Sequence, residues 1–231
     1  MTYLFDPAPI KSIPVRGIEA EFPIHRIFCV GRNYAAHAEE MGNEVDRSAP
    51  FYFTKSALSS EVSGATIPYP PETSNYHYEM ELAIAIGAPV FRANEEEASA
   101  AIYGYCCALD MTRRDLQSAA KAKQRPWDTG KDVEGSAIFA PITTRSEFGD
   151  IADQTIYLDL NGIRRQDSVL SKMVHSVTDI VMDLSKFYHL KAGDVIMTGT
   201  PEGVGSVEQG DSLTGGIDGL EPISVTIGQP N

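Results

Sequence analysis

The chain has 231 residues, 42% of them hydrophobic, and its 32 acidic side chains outnumber 19 lysines and arginines for a formal net charge of −13. That length and apolar fraction can bury a real core, read here as one large domain over residues 23–231 behind a small N-terminal arm or flap over residues 1–22. The acidic field repels a nucleic-acid backbone and no apolar run approaches a membrane span, which leaves small ligands, including anions wherever a metal and a few cations reverse the field locally.

The first 22 residues are rich in Pro and turn residues and lack the apolar core of a signal peptide. Ile24 to Val30 then reads as a strand that breaks at Gly31, followed by a helix from about Tyr34 to Met41. Within that helix His37 and Glu40 are three apart and share a face, so the carboxylate can hold and polarise the imidazole as a general base requires. Taken alone, a His beside a Glu fits a solvated helix face better than a catalytic pair. FYFTKSAL is a second strand, and IPYPPETSNY is a loop leading into YHYEMELAIAIG, Tyr76 to Gly87.

That run alternates strictly. Met80, Leu82, Ile84 and Ile86 fall on one face of a strand, and Glu79, Glu81, Ala83 and Ala85 on the other. EEEASAAIYGY opens as a helix and becomes a strand ending at a third carboxylate, Asp110. Three carboxylates with no thiolate or imidazole cluster nearby suit one hard ion, Mg2+ or Mn2+. His77 shares the parity of the two glutamates and reads either as a further ligand or as a donor behind them.

MTRRDLQSAAKAKQ has helical composition, and Lys131 follows in a glycine-flanked loop, placed to supply positive charge where an enolate develops. Asn161-Gly162 between two alternating runs signals a hairpin, SVTDIVMDLSKFYHL an amphipathic helix, and AGDVIMTGTPEGVG a strand entering a glycine-rich turn that presents Thr200 or its amides to a ligand. Strands outnumber helices without alternating with them, so an α+β, mainly β architecture is expected. Cys29, Cys106 and Cys107 have no framework spacing and read as reduced thiols in a cytoplasmic protein.

GRNYAAHAEEM, YHYEMELAIAIG, CALDMTRRDLQ, the lysine of DTGKDVEGSA and GDVIMTGTPEGVG together resemble the fumarylacetoacetate hydrolase family, in order and approximate spacing, from about Ile24 onward. Among its branches the chain is most similar to the short acylpyruvate hydrolases, with FYFTK and YHYEMEL similar to members acting on fumarylpyruvate in gentisate-type aromatic degradation. The resemblance implies a mixed β-roll with flanking helices, a homodimer, and one divalent ion on Glu79, Glu81 and Asp110. It implies a catalytic dyad of His37 and Glu40, an active-site Lys131, and a pocket lined by Gln117 and Thr200. One departure is Lys121, where the larger family members carry a tyrosine.

The implied activity is hydrolysis of the C3–C4 bond of a 2,4-dioxo acid, fumarylpyruvate giving fumarate and pyruvate. Its distal carboxylate needs a cation, for which Arg32, Lys55 and Arg114 are the candidates. An oxaloacetate decarboxylase or a dioic-acid isomerase on the same scaffold is the alternative. A structural cation site in a non-catalytic module leaves His37 without a role, and an inverting glycosidase leaves Asp110 and Lys131 without one.

Overall fold

The computed structural model describes residues 2–42 and 44–230. Its architecture is mostly β, with 38% strand against 21% helix and a curled principal sheet, as the absence of strand–helix alternation led us to expect. The principal sheet runs in the order Phe51–Lys55, Arg26–Gly31, Asp194–Met197, Met80–Ile86, Ile102–Asp110, Ala137–Phe139, Ser60–Val62, with Thr143–Thr144 also paired to Ile102–Asp110. Most neighbours are antiparallel. Asp194–Met197 against Arg26–Gly31 and Ala137–Phe139 against Ser60–Val62 are the parallel pairs.

The central strand Met80–Ile86 is buried along its whole length. Met80, Leu82, Ile84 and Ile86 enter the larger core, closed by a five-stranded sheet through Ile156, Leu158, Leu213 and Ile223 and by the helix Val177–Phe187 through Ile180, Val181 and Leu184. That helix begins with a capping box between Ser176 and Asp179, which satisfies amides at its first turn. Ala83 and Ala85 face the other way, into a second core with Cys106, Ala108, Phe139 and Ile142. The small side chains of this face let a covering layer approach closely.

Part of that layer comes from the N-terminal segment. Residues 2–10 are exposed, but Ser12–Pro14 and Glu21–Pro23 pair as a hairpin that inserts Ile13, Val15 and Phe22 into the second core. The expected Asn161-Gly162 turn joins Thr155–Leu160 to Ile163–Val169, with both turn residues at positive φ (52° and 76°), as a type I′ hairpin requires. All three cysteines are buried and unpaired.

Candidate metal centre and active site

The single strand expected over Tyr76–Gly87 is two. Tyr76–Tyr78 belongs to a three-stranded sheet with Thr112–Arg113 and Gly205–Val207, and Met80–Ile86 belongs to the principal sheet. Glu79 occupies the break between them. The parity survives it: Glu81, Ala83 and Ala85 share a face with Cys106 and Ala108 on the neighbouring strand, and Asp110 is next in that series. Glu81 lies opposite Ala108, and the Asp110 amide donates to the Glu79 carbonyl at 2.9 Å. The acids therefore stand where the alanine-lined face runs out of apolar cover. One ligand oxygen from each of Glu79, Glu81 and Asp110 lies within 4.8 Å of the others, and all three residues are buried.

Three cations surround this cluster. Lys131 Nζ donates to Glu79 Oε2 at 2.7 Å, to Asp110 Oδ2 at 2.8 Å and to Thr112 Oγ1 at 2.7 Å, so its three protons are all engaged. It sits on a four-residue helix, Asp128–Lys131, rather than in the expected loop, and that helix is pressed against Arg114–Ala122. A Cβ on Gly130 would fall 2.8 Å from Gln117. Arg114 grips Glu79 with one guanidinium nitrogen and Gln117 Oε1, at 2.7 Å, with the other. Lys55 is a correction to the sequence reading. Its ammonium is sealed under the cluster, 2.9 Å from Asp110 Oδ1, and donates to the carbonyls of Met111 and Lys131 and to Ser136, so it cannot meet a substrate carboxylate.

These cations are shared unevenly. Burial works against an ionised Glu79, but Lys131 and Arg114 overcome it and hold the carboxyl below the usual range. Glu81 accepts the Gly199 amide at 2.8 Å and has no cation pair among the described residues, so burial, then Asp110 and Glu79, push it well above the usual range. Among the described residues no hydrogen bond reaches the buried Asp110 Oδ1, because Lys55, though 2.9 Å away, donates to Met111, Lys131 and Ser136. An all-oxygen donor set with one under-compensated carboxylate and one orphaned oxygen fits a hard divalent cation.

The helix Ala35–Glu40 roofs the cluster. His37 is buried and its Nδ1 lies 3.1 Å from Glu40 Oε2. The neutral tautomer that donates from Nδ1 to Glu40 leaves the lone pair on Nε2. Glu40 in turn accepts the Gly203 amide at 3.1 Å. The glycine-rich turn thus supports Glu81 through Gly199 and Glu40 through Gly203. Gly203 has φ of +92°, and a Cβ there would fall 2.1 Å from the Arg165 carbonyl. Gly203→Ala should cost about 1–3 kcal/mol of stability and lower kcat through a displaced Glu40, both readable from a thermal melt and steady-state kinetics.

Phe53, Met41 and Trp127 complete the walls of a cleft that is also lined by His37, the three acids, Arg32, Arg114, Gln117, Lys121, Lys131 and Thr200. Thr200 is fixed by a hydrogen bond from Gln166 at 2.8 Å. His77 stays behind the cluster: it bonds Asn75 at 2.8 Å and faces Arg114 Nε at 3.5 Å, and burial, with help from Arg114, holds it neutral with its pKa lowered to about 4. The sequence reading assigns the amides of the TGTPEGVG turn to a ligand, whereas those of Gly199 and Gly203 hold Glu81 and Glu40, and it misses Trp127, for which it has no signal.

A curled, mainly β fold holding a buried acid triad beneath a His–Glu helix defines the class: a site whose three acids can hold a divalent cation beside a histidine. Residues 26–228 match the family described as fumarylacetoacetate (FAA) hydrolase C-terminal, and the chain belongs to that family. It is 51% identical over 191 residues to a fumarylpyruvate hydrolase of a Ralstonia species, covering 81% of this chain and 98% of that protein. An oxaloacetate tautomerase of Escherichia coli (strain K12) is 38% identical over 205 residues, covering 88% and 93%. Among solved structures, a fumarylpyruvate hydrolase from Pseudomonas aeruginosa in complex with Mn2+ and pyruvate superposes with a TM-score of 0.95 at 42% identity, over 99% of this chain and all of that one.

Proposed function

We propose that this protein hydrolyses the C–C bond of an acylpyruvate, fumarylpyruvate giving fumarate and pyruvate, with one Mg2+ or Mn2+ held by Glu79, Glu81 and Asp110. The observation that carries this reading is His37, its Nδ1 held 3.1 Å from Glu40, facing a buried carboxylate triad inside one cleft. The 51% identity to a fumarylpyruvate hydrolase and the likeness to an enzyme binding Mn2+ and pyruvate support the substrate and the ion. When bound, the ion supplies Lewis-acid charge for the 2-oxo-carboxylate end of the substrate.

The chain's own residues do the rest. His37 Nε2 takes a proton from water as the water oxygen attacks the C4 carbonyl, while Glu40 steadies the imidazolium that forms. The C3–C4 bond then breaks, its electron pair passes to C3, and the pyruvate unit leaves as an enolate that receives at C3 the proton His37 took from water, which restores the neutral imidazole. Lys131 and Arg114 place positive charge beside the acid cluster, and Gln117 and Thr200 face the same space as substrate contacts. The buried thiols suit a reducing cytoplasm. A homodimer acting in aromatic catabolism completes the reading.

The test is an absorbance assay of purified protein on fumarylpyruvate, acetylpyruvate and oxaloacetate, each with EDTA and with added metal. Metal-dependent loss of the fumarylpyruvate signal, abolished by EDTA, is expected. Turnover of oxaloacetate alone would overturn the reading and favour the tautomerase chemistry for which the Escherichia coli relative is named.

A further inference from the structure

The distal end of the substrate is still without a partner. Of the three cations considered for it, Lys55 is sealed beneath the acids and Arg114 is committed to Glu79 and Gln117. Arg114, Gln117 and Lys121 occupy successive turns on one face of the helix Arg114–Ala122, and all three line the cleft. At a rise of 1.5 Å per residue, Lys121 stands about 10 Å along the axis from Arg114 and about 6 Å from Gln117, so the face runs from the acid cluster out toward the mouth.

Among the described residues, neither Lys121 nor Arg32 has an acidic partner, although both line a cleft in a protein of net charge −13. Lys121 Nζ instead lies 4.6 Å from the centre of the Trp127 ring, half-buried against an apolar wall. Arg32 sits at φ of 59° directly after the strand Arg26–Gly31, and the following Asn33 is pinned by hydrogen bonds to the carbonyls of Thr198 at 2.8 Å and His175 at 3.1 Å. Its backbone is therefore fixed at the cleft wall.

We infer that Lys121, assisted by Arg32, is the specificity-determining contact for a second carboxylate at the far end of the substrate, so that the preferred substrates are acylpyruvates whose acyl group itself ends in a carboxylate. The inference rests on the acylpyruvate reading. Burial first, then repulsion from Arg114 and Arg32 against the opposing pull of Glu79, lowers the Lys121 pKa to about 8, and an anion between these cations relieves that repulsion.

The experiment compares fumarylpyruvate with acetylpyruvate, which carries a methyl group in place of the charged arm, in the metal-loaded wild-type protein, Lys121→Met and Lys121→Arg. The ratio of kcat/KM between the two substrates should fall about 10–100-fold in Lys121→Met, the range for losing a hydrogen bond to a charged group, and recover in Lys121→Arg. The loss should lie mainly in KM, because the contact exists before and during bond cleavage. Equal losses on both substrates, or an unmoved ratio, would overturn the inference alone, whereas a wild type inactive on both would overturn the acylpyruvate reading beneath it. Trp127 is the sole tryptophan and gives a readout free of turnover. Its fluorescence should respond to the product fumarate at least tenfold more tightly than to crotonate, the monoacid of the same shape, and equal affinities in the wild type would also overturn the assignment.

Discussion

Replacing His37 by Asn should lower kcat for acylpyruvate hydrolysis by about 10²–10⁴, the usual contribution of a positioned general base. Asparagine keeps an N–H for Glu40, so the helix Ala35–Glu40 stays docked through Glu40 and Gly203. The loss then reports the missing lone pair on Nε2. Oxaloacetate separates chemistry from architecture, because its decarboxylation leaves the same pyruvate enolate without an attacking water. Any decarboxylase activity of the wild type should survive in the variant or rise. Hydrolysis that persists at more than a tenth of the wild-type rate would remove His37 from the mechanism, and parallel collapse of both activities would mean that the substitution damages the enolate site itself.

The acid triad was legible because side-chain parity is a local property of an extended chain. Glu79 and Glu81 were readable from their own strand, and Asp110 from the end of the next. Parity outlived an error about the strand, since the backbone breaks at Glu79 without turning its side chain from the cluster. Asn161-Gly162 was readable for the same reason: the turn geometry resides in the two residues themselves.

What the sequence hid was non-local. Lys55 looked like a free cation at the end of FYFTK, and only the pairing of its strand with Arg26–Gly31, followed by contacts to Asp110 and Lys131, explains why it is consumed inside. The Pro-rich N-terminal segment offered too few alternating positions to announce a hairpin, yet Ile13 and Phe22 help to cover the alanine face of the central strand. Gly199 and Gly203 act through backbone amides, which carry no side-chain signature, on partners 118 and 163 residues away. Lys121 was visible only as a departure from a family pattern. Its place in the cleft stands out once Arg114 and Lys131 are seen to be engaged by the acids.

Glu81→Gln should reverse the order of stability between metal-free and metal-loaded protein. Glu81 lies beside two other carboxylates, has no cation pair among the described residues, and is pushed by burial, Asp110 and Glu79 toward its protonated form. An amide of the same shape keeps an oxygen for the Gly199 amide and removes the repelling charge. Without metal the variant should therefore be more stable than the wild type by about 0.5–2 kcal/mol, the gain expected where a function-bearing charge cluster is relaxed. Each kcal/mol corresponds to a rise in Tm of about 2–4 °C for a chain of this size. Mn2+ at a hundredfold excess over its Kd should stabilise the wild type by about 2.7 kcal/mol, and the variant far less because a hard ion has lost an anionic ligand. The two melting curves should cross as Mn2+ is added, with turnover of acylpyruvate present only on the wild-type side. A variant that gains as much from Mn2+ as the wild type would show that Glu81 is no ligand, and one that is less stable without metal would show that the triad was not strained by its own charge.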